Sequence, residues 1–158
     1  MGPWDRVLGL DIGERRIGLA FSSTLSVGNS LVLPAGFLLV DAGEDKALAD
    51  LCDLAAEEGV GAVVVGVPYV GGLETRQTQK VLAFATRLRA VLPEKVEMFG
   101  WDESYSSASA QSLLVDAELK HSGKAKRGRV DAVAASLILQ SFVDAHRNLG
   151  VAPGAVLF

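Results

Sequence analysis

Two extended segments at the start of the chain constrain its fold more than any other feature. Residues 7–12 form an apolar run, and residues 16–22 alternate large apolar with small side chains. A period of two is typical of a β-strand. The three residues between them, 13–15, are enough for a hairpin turn. The chain is therefore expected to open with an antiparallel pair, and a third extended segment is predicted within residues 31–40.

Helices and strands alternate in the rest of the chain. Apolar residues at helical spacing predict four helices, and short apolar runs predict two further strands. The predicted helices cover residues 41–58, 74–92, 104–119 and 130–145, and the strands cover 62–67 and 96–101. An antiparallel opening followed by strand–helix–strand crossovers predicts an α/β fold, with a mixed sheet and helices on both faces.

Composition limits the class of protein. The chain has 158 residues, of which 49% are apolar and 22% charged, so one domain over residues 1–158 is expected. Its core would span about residues 5–146, with a loose tail over 150–158. A single cysteine, Cys52, excludes disulfides and cysteine-rich zinc sites. The apolar runs are too short for a membrane helix, and the start of the chain lacks a signal-peptide pattern, so a cytoplasmic location is expected.

Four acidic residues are candidates for a catalytic site. Asp11 lies inside an otherwise apolar strand, Asp102 and Glu103 end the last predicted strand, and Asp131 lies in the first turn of the last predicted helix. Each has a structural alternative, namely a turn residue, a helix N-cap, or an acid stabilised by the helix dipole. Together, however, strand ends and a covering helix can converge at one edge of the sheet.

Convergent carboxylates repel each other, and hard divalent cations between them relieve that repulsion. Two such ions about 3.5–4 Å apart would activate water and stabilise the leaving oxygen in phosphodiester cleavage.

Basic residues near these acids suit a phosphate backbone. Arg15 and Arg16 follow Asp11 in the hairpin. Residues 118–131 contain five basic and two acidic side chains with two glycines, which favours a mobile basic loop. Its candidate phosphate contacts are Lys124, Lys126, Arg127 and Arg129. A solvated charge run is the structural alternative. The net charge of −4 means that nucleic-acid binding would depend on such a local patch. The glycine-rich segment 66–72 is a weaker candidate for a phosphate contact before the next helix.

Four motifs occur in an order that resembles a known family. They are LGLDIGERRIGLA over residues 8–20, VVGVP over 64–68, DESYSS over 102–107, and VDAVAASLILQS over 130–141. The chain resembles the YqgF family, which is also called the Holliday-junction-resolvase-like or pre-16S rRNA nuclease family. The resemblance spans residues 7 to about 144, nearly the whole chain.

The resemblance implies an RNase H-like fold, with a five-stranded mixed sheet whose first three strands are antiparallel. It implies a Mg²⁺- or Mn²⁺-dependent hydrolase with one or two ions that cleaves nucleic acid. The acidic site carries over to Asp11, to the pair Asp102 and Glu103, and to Asp131. Asp11, Glu103 and Asp131 are the expected metal ligands, with Glu103 favoured over Asp102. The expected role is ribosomal RNA 5′-end maturation, with resolution of branched DNA as the alternative.

Two departures from the family pattern concern the grip on the substrate. Ser104 stands where the family usually has an arginine, and Tyr69-Val70 stands where polar residues are common.

Two further functions stay open. An RNA-binding assembly factor with little catalysis would use the acids structurally. A nucleotide-binding relative of the actin and sugar-kinase type would need a second domain. The partner is expected to be structured RNA or branched DNA rather than a membrane, and the chain to be a monomer or weak homodimer.

Overall fold

The computed structural model describes residues 4–26, 29–41, 43–103, 124–149 and 156–158. Side chains are not described at 24–26, 29–30, 124–129, 147–149 and 156–157. The helix predicted over 104–119 therefore lies outside the described residues.

A mixed sheet forms the centre of the molecule. Its strands are β1 (Arg6–Ile12), β2 (Arg16–Ser26), β3 (Asn29–Leu39), β4 (Ala62–Val67), β7 (Glu97–Asp102) and β8 (Val156–Leu157). Their order is β3-β2-β1-β4-β7-β8. The first three strands are antiparallel neighbours, and β4 is parallel to both β1 and β7. The predicted α/β fold with a five-stranded mixed sheet is confirmed, and β8 adds two residues at its edge.

Helices cover both faces of this sheet. The described helices are α1 (Glu44–Glu57), α2 (Arg76–Val91) and α3 (Lys124–Leu149). Helices α1 and α2 bury Leu51 and Leu88 on one face of the sheet, in the same apolar cluster as Leu10 of β1. On the other face α3 buries Ile138 and Leu139. We call this second face the α3 face. No helix among the described residues is long and apolar enough to cross a membrane.

The last helix begins earlier than its sequence pattern predicts. Helix α3 starts at Lys124, whereas apolar periodicity predicts a start at Val130. Helical geometry tolerates one glycine, Gly128, and basic residues are good helix formers, so the helix continues outside the apolar stripe. The prediction that residues 124–129 belong to a mobile loop is therefore wrong. Asp131 lies inside the helix rather than in its first turn, so the helix dipole does not account for it.

The glycine-rich segment after β4 forms a small hairpin. Strands β5 (Tyr69–Val70) and β6 (Leu73–Glu74) pair through a turn in which Gly71 and Gly72 have φ of 58° and 78°. Helix α2 follows directly, and its first turn is capped by the Thr75 side chain, which accepts from the Thr78 backbone N–H at 3.2 Å. The Thr75 side chain thus already binds the Thr78 N–H, a group that an open phosphate-binding loop would leave available for the ligand.

The end of the chain is attached to the sheet. Strand β8 pairs antiparallel with β7, and the Phe158 N–H donates to the Met98 carbonyl at 2.9 Å. The Phe158 ring lies over Gly100, where a side chain would overlap it. The prediction of a loose tail is therefore wrong for residues 156–158. Two residues are too short a strand to produce a recognisable sequence pattern.

Candidate active site

Asp11 lies near the carboxyl end of β1, on the α3 face. It pairs with Gly18 of β2, and alternation along β1 puts Val7 on the same face, in the cluster that α3 covers. The side chain is partly buried. Burial, followed by the charges of Glu103 and Asp131, raises the pKa of Asp11 from 3.8 to about 7. Glu103 and Asp131 thus both lie close enough to Asp11 for their charges to act on it.

Glu103 follows β7 and reaches the same face. A Cβ placed on Gly66 of β4 would lie 3.1 Å from the Glu103 Oε1 atom and would overlap Ile138 of α3. Glu103 is therefore next to α3. Burial, and then the charge of Asp102, raise the pKa of Glu103. Asp102 itself is the last residue of β7, and the alternation from Trp101, whose side chain packs on the α3 face, directs it to the opposite face.

Asp131 reaches the cluster because α3 passes very close to β2. A Cβ on Gly18 would overlap the backbone carbonyl of Asp131. The same close approach occurs at Gly9, where a Cβ would lie 2.8 Å from the Leu139 Cβ. Ala135 on the facing side of the helix is fully buried. Small residues on both elements therefore permit this packing.

Arg16 contacts the acidic cluster directly. It lies two residues before Gly18 on the same strand, and therefore on the α3 face. Its Nε atom donates to Asp131 Oδ2 at 2.7 Å, and the two side chains are 23% and 27% exposed. A pair this well shielded from water interacts more strongly than a surface ion pair.

Arg15 occupies a different environment. It belongs to the turn between β1 and β2, its side chain is exposed, and its carbonyl accepts from the Val40 N–H at 2.8 Å. The four other predicted phosphate contacts, Lys124, Lys126, Arg127 and Arg129, lie on the first part of α3, outside the described side chains. They precede Asp131 on the same helix.

The donor chemistry of this cluster fits a hard divalent cation. Carboxylate oxygens are the ligands that Mg²⁺ and Mn²⁺ prefer, and the pKa of Asp11 is raised by its burial and by two neighbouring carboxylates. Within the part of the chain that the structure describes, no three His, Cys, Asp or Glu side chains form a ready-made metal site. Asp131 is bonded to Arg16 instead.

Sequence reasoning missed the two glycines that shape the cluster. Any side chain at Gly18 or Gly66 would collide with α3 or crowd Glu103. The available signal was the alternation of small and large residues in β2, which marks the face that another element approaches closely.

The chain matches a known protein family over most of its length. The family model described as "RuvX: Holliday junction resolvase" matches residues 5–145. The chain belongs to the RuvX family. Its relatives include a protein of Chloroflexus aggregans named "Putative pre-16S rRNA nuclease", which is 41% identical over 90% of this chain and 95% of that relative. A protein of Salinibacter ruber with the same name is 36% identical over 88% of this chain and 92% of its own length.

Solved structures share the fold of this RuvX-family chain. RuvC of Thermus thermophilus, in complex with a Holliday junction substrate, superposes with a TM-score of 0.61. The match covers 97% of this chain and 99% of RuvC at 17% sequence identity. The TM-score shows that the fold is shared, and at this identity the likeness concerns the fold alone. The RNase H-like fold that the family resemblance implies is thereby confirmed.

Proposed function

We propose that this RuvX-family protein is a metal-dependent nuclease that hydrolyses phosphodiester bonds during maturation of ribosomal RNA 5′ ends. The observation that carries the proposal is the position of Asp11 on the α3 face, where burial and the charges of Glu103 and Asp131 raise its pKa. The names of the curated relatives supply the substrate. This role would place the protein in the cytoplasm.

Asp11, Glu103 and Asp131 would hold Mg²⁺ or Mn²⁺, one or two ions. When bound, such ions would activate water and stabilise the leaving oxygen of the phosphodiester. Asp11 is the central ligand in this proposal, because both other acids act on it. Asp102 is not one of these ligands, and its role in the proposal is to raise the pKa of Glu103 through its charge.

The basic residues would position the substrate. Arg15 is exposed at the turn that follows Asp11, so it is placed to contact a phosphate beside the carboxylates. Lys124, Lys126, Arg127 and Arg129 share α3 with Asp131 and would track the backbone further along. Because cation–phosphate contacts are largely independent of sequence, substrate shape would dominate selection.

A cleavage assay tests this proposal. Wild-type protein and the Asp11→Asn variant would be incubated with Mn²⁺, Mg²⁺ or EDTA and a precursor of the 16S rRNA 5′ end. Asp53→Asn is the matched control, since this exposed acid lies on α1, across the sheet from the cluster. Metal-dependent cuts by wild type and Asp53→Asn, but not by Asp11→Asn, are expected. Equal cutting by Asp11→Asn would refute the proposed site.

The family description favours one second candidate, a Holliday junction resolvase. A four-way DNA junction in the same assay distinguishes the two substrates. Paired symmetric cuts in the junction, without cleavage of the RNA, would favour the resolvase and would require a dimer. Binding to RNA without cleavage of either substrate would instead indicate an assembly factor.

A further inference from the structure

The ion pair between Arg16 and Asp131 occupies the acidic cluster with a cation that belongs to the protein. Arg16 Nε donates to Asp131 Oδ2 at 2.7 Å. That oxygen belongs to one of the two carboxylates whose charges act on Asp11. An arginine cannot lose its proton at any ordinary pH, so this positive charge is permanent.

The pair lowers the repulsion within the cluster. Without a counter-charge, three carboxylates in a poorly solvated place would oppose one another. Arg16 neutralises one of them, and its side chain is mostly shielded from water at 23% exposure. It thereby does part of what a bound divalent cation would do, on one of the oxygens that such a cation would use.

The strand geometry brings Arg16, rather than the adjacent Arg15, to Asp131. Arg16 opens β2 and shares a face with Gly18, over which the Asp131 backbone lies. Arg15 precedes the strand, is exposed in the turn, and is not among the side chains bonded to Asp131. Two adjacent arginines of equal charge thus differ in contact with the cluster.

We infer that Arg16 is an internal counter-cation that a divalent metal ion must displace from Asp131 before the acidic site can close. The inference rests on the proposed function, because it assumes that Asp131 binds metal there. Its structural basis is the 2.7 Å contact between Arg16 Nε and Asp131 Oδ2, together with the shielding of both side chains from water.

The inference predicts opposite effects on metal affinity and on metal-free stability. Arg16→Met keeps much of the apolar stem and removes the competing charge. We expect it to bind Mn²⁺ about fivefold more tightly than wild type, the factor expected for loss of one partly shielded ion pair. The same variant should unfold at lower urea concentration without metal, because Asp131 then lacks its counter-charge.

Calorimetric titration of Mn²⁺ into metal-free protein, without nucleic acid, measures the affinity. Arg15→Met is the matched control, since it removes the same charge one residue away. It should bind Mn²⁺ within about twofold of wild type, because a charge that does not contact Asp131 acts only at long range and is screened by salt. Arg16→Lys keeps the charge on a side chain without the guanidinium fork and should give an intermediate affinity. If Arg16→Met fails to fold, the Mn²⁺ affinity of Arg16→Lys compared with wild type still tests the inference.

The possible outcomes distinguish the inference about Arg16 from the proposed metal site. Equal affinity in wild type, Arg16→Met and Arg16→Lys, with binding lost in Asp11→Asn, would overturn the inference and leave the proposed metal site standing. Weaker binding by Arg16→Met would also overturn it, since Arg16 would then position Asp131 for the metal. Absence of Mn²⁺ binding in all variants would refute the inference together with the proposed function.

Discussion

The ionisation of Asp11 should govern how the stability of the metal-free protein changes with pH. Burial and two neighbouring acids raise the pKa of Asp11 from 3.8 to about 7. At a pH between these two values, Asp11 therefore keeps its proton in the folded protein but has lost it in the unfolded chain. A difference of about three pH units, at about 1.4 kcal/mol each, is worth about 4 kcal/mol in the free energy of unfolding.

The sign follows from linkage. Below about pH 4 Asp11 is protonated in both states and costs nothing, whereas above about pH 7 it is ionised in both and destabilises the folded state fully. The contribution of Asp11 thus falls as pH rises between these values. Asp11→Asn removes it, so the variant should be more stable than wild type by about 2–4 kcal/mol at about pH 8 and nearly equal to it at about pH 4. The lower figure allows for the partial exposure of the side chain.

Urea unfolding in EDTA, followed by tryptophan fluorescence at both pH values, measures these differences. Other acids titrate over the same range, so the difference between variant and wild type is the informative quantity. Asp53→Asn on α1 is the control and should show no such pH-dependent gain. Equal stabilities of Asp11→Asn and wild type at the higher pH would refute the argument. So would a gain that does not change with pH.

Three further predictions concern the packing around the site. Gly18→Ala should lower the free energy of unfolding by about 1–3 kcal/mol and weaken Mn²⁺ binding, because the new methyl group overlaps the Asp131 carbonyl; unchanged calorimetric titrations would show that α3 can shift freely. Thr75→Ala should cost about 1 kcal/mol in urea unfolding through loss of the α2 cap, without changing cleavage; a larger effect on cleavage than on stability would contradict a structural role. Phe158→Ala should cost about 1–2 kcal/mol, because its ring packs against the sheet; an unchanged unfolding midpoint would contradict the attachment of the chain end.

Local patterns were sufficient to predict the main strands of the fold. The apolar run that contains Asp11, the short turn after it, and the buried strand Ala62–Val67 all follow from periodicity and turn length. They succeed because these segments are buried on one or both faces, so their patterns report burial directly. The same patterns also predicted the strand whose carboxyl end leads to Glu103.

Contacts between distant parts of the chain were beyond local patterns. The helix that carries Asp131 begins before its apolar stripe, so its start is not encoded by the stripe. The choice between Asp102 and Glu103 depends on which face of the sheet each side chain meets, and the helix that covers one face is far away in sequence. The contact between Arg16 and Asp131 likewise joins two elements whose approach depends on Gly18.

The three acids also differ in when a growing chain can bring them together. Asp11 is made early and Asp131 late, and no local segment contains two of the three clustered carboxylates. Contacts between positions this far apart form late in folding, after intervening elements have collapsed. A partly synthesised or truncated chain that lacks α3 would therefore carry Asp11 and Glu103 without Asp131. Such a fragment would lack the complete set of three carboxylates, so the full cluster would form only in chains that are nearly complete.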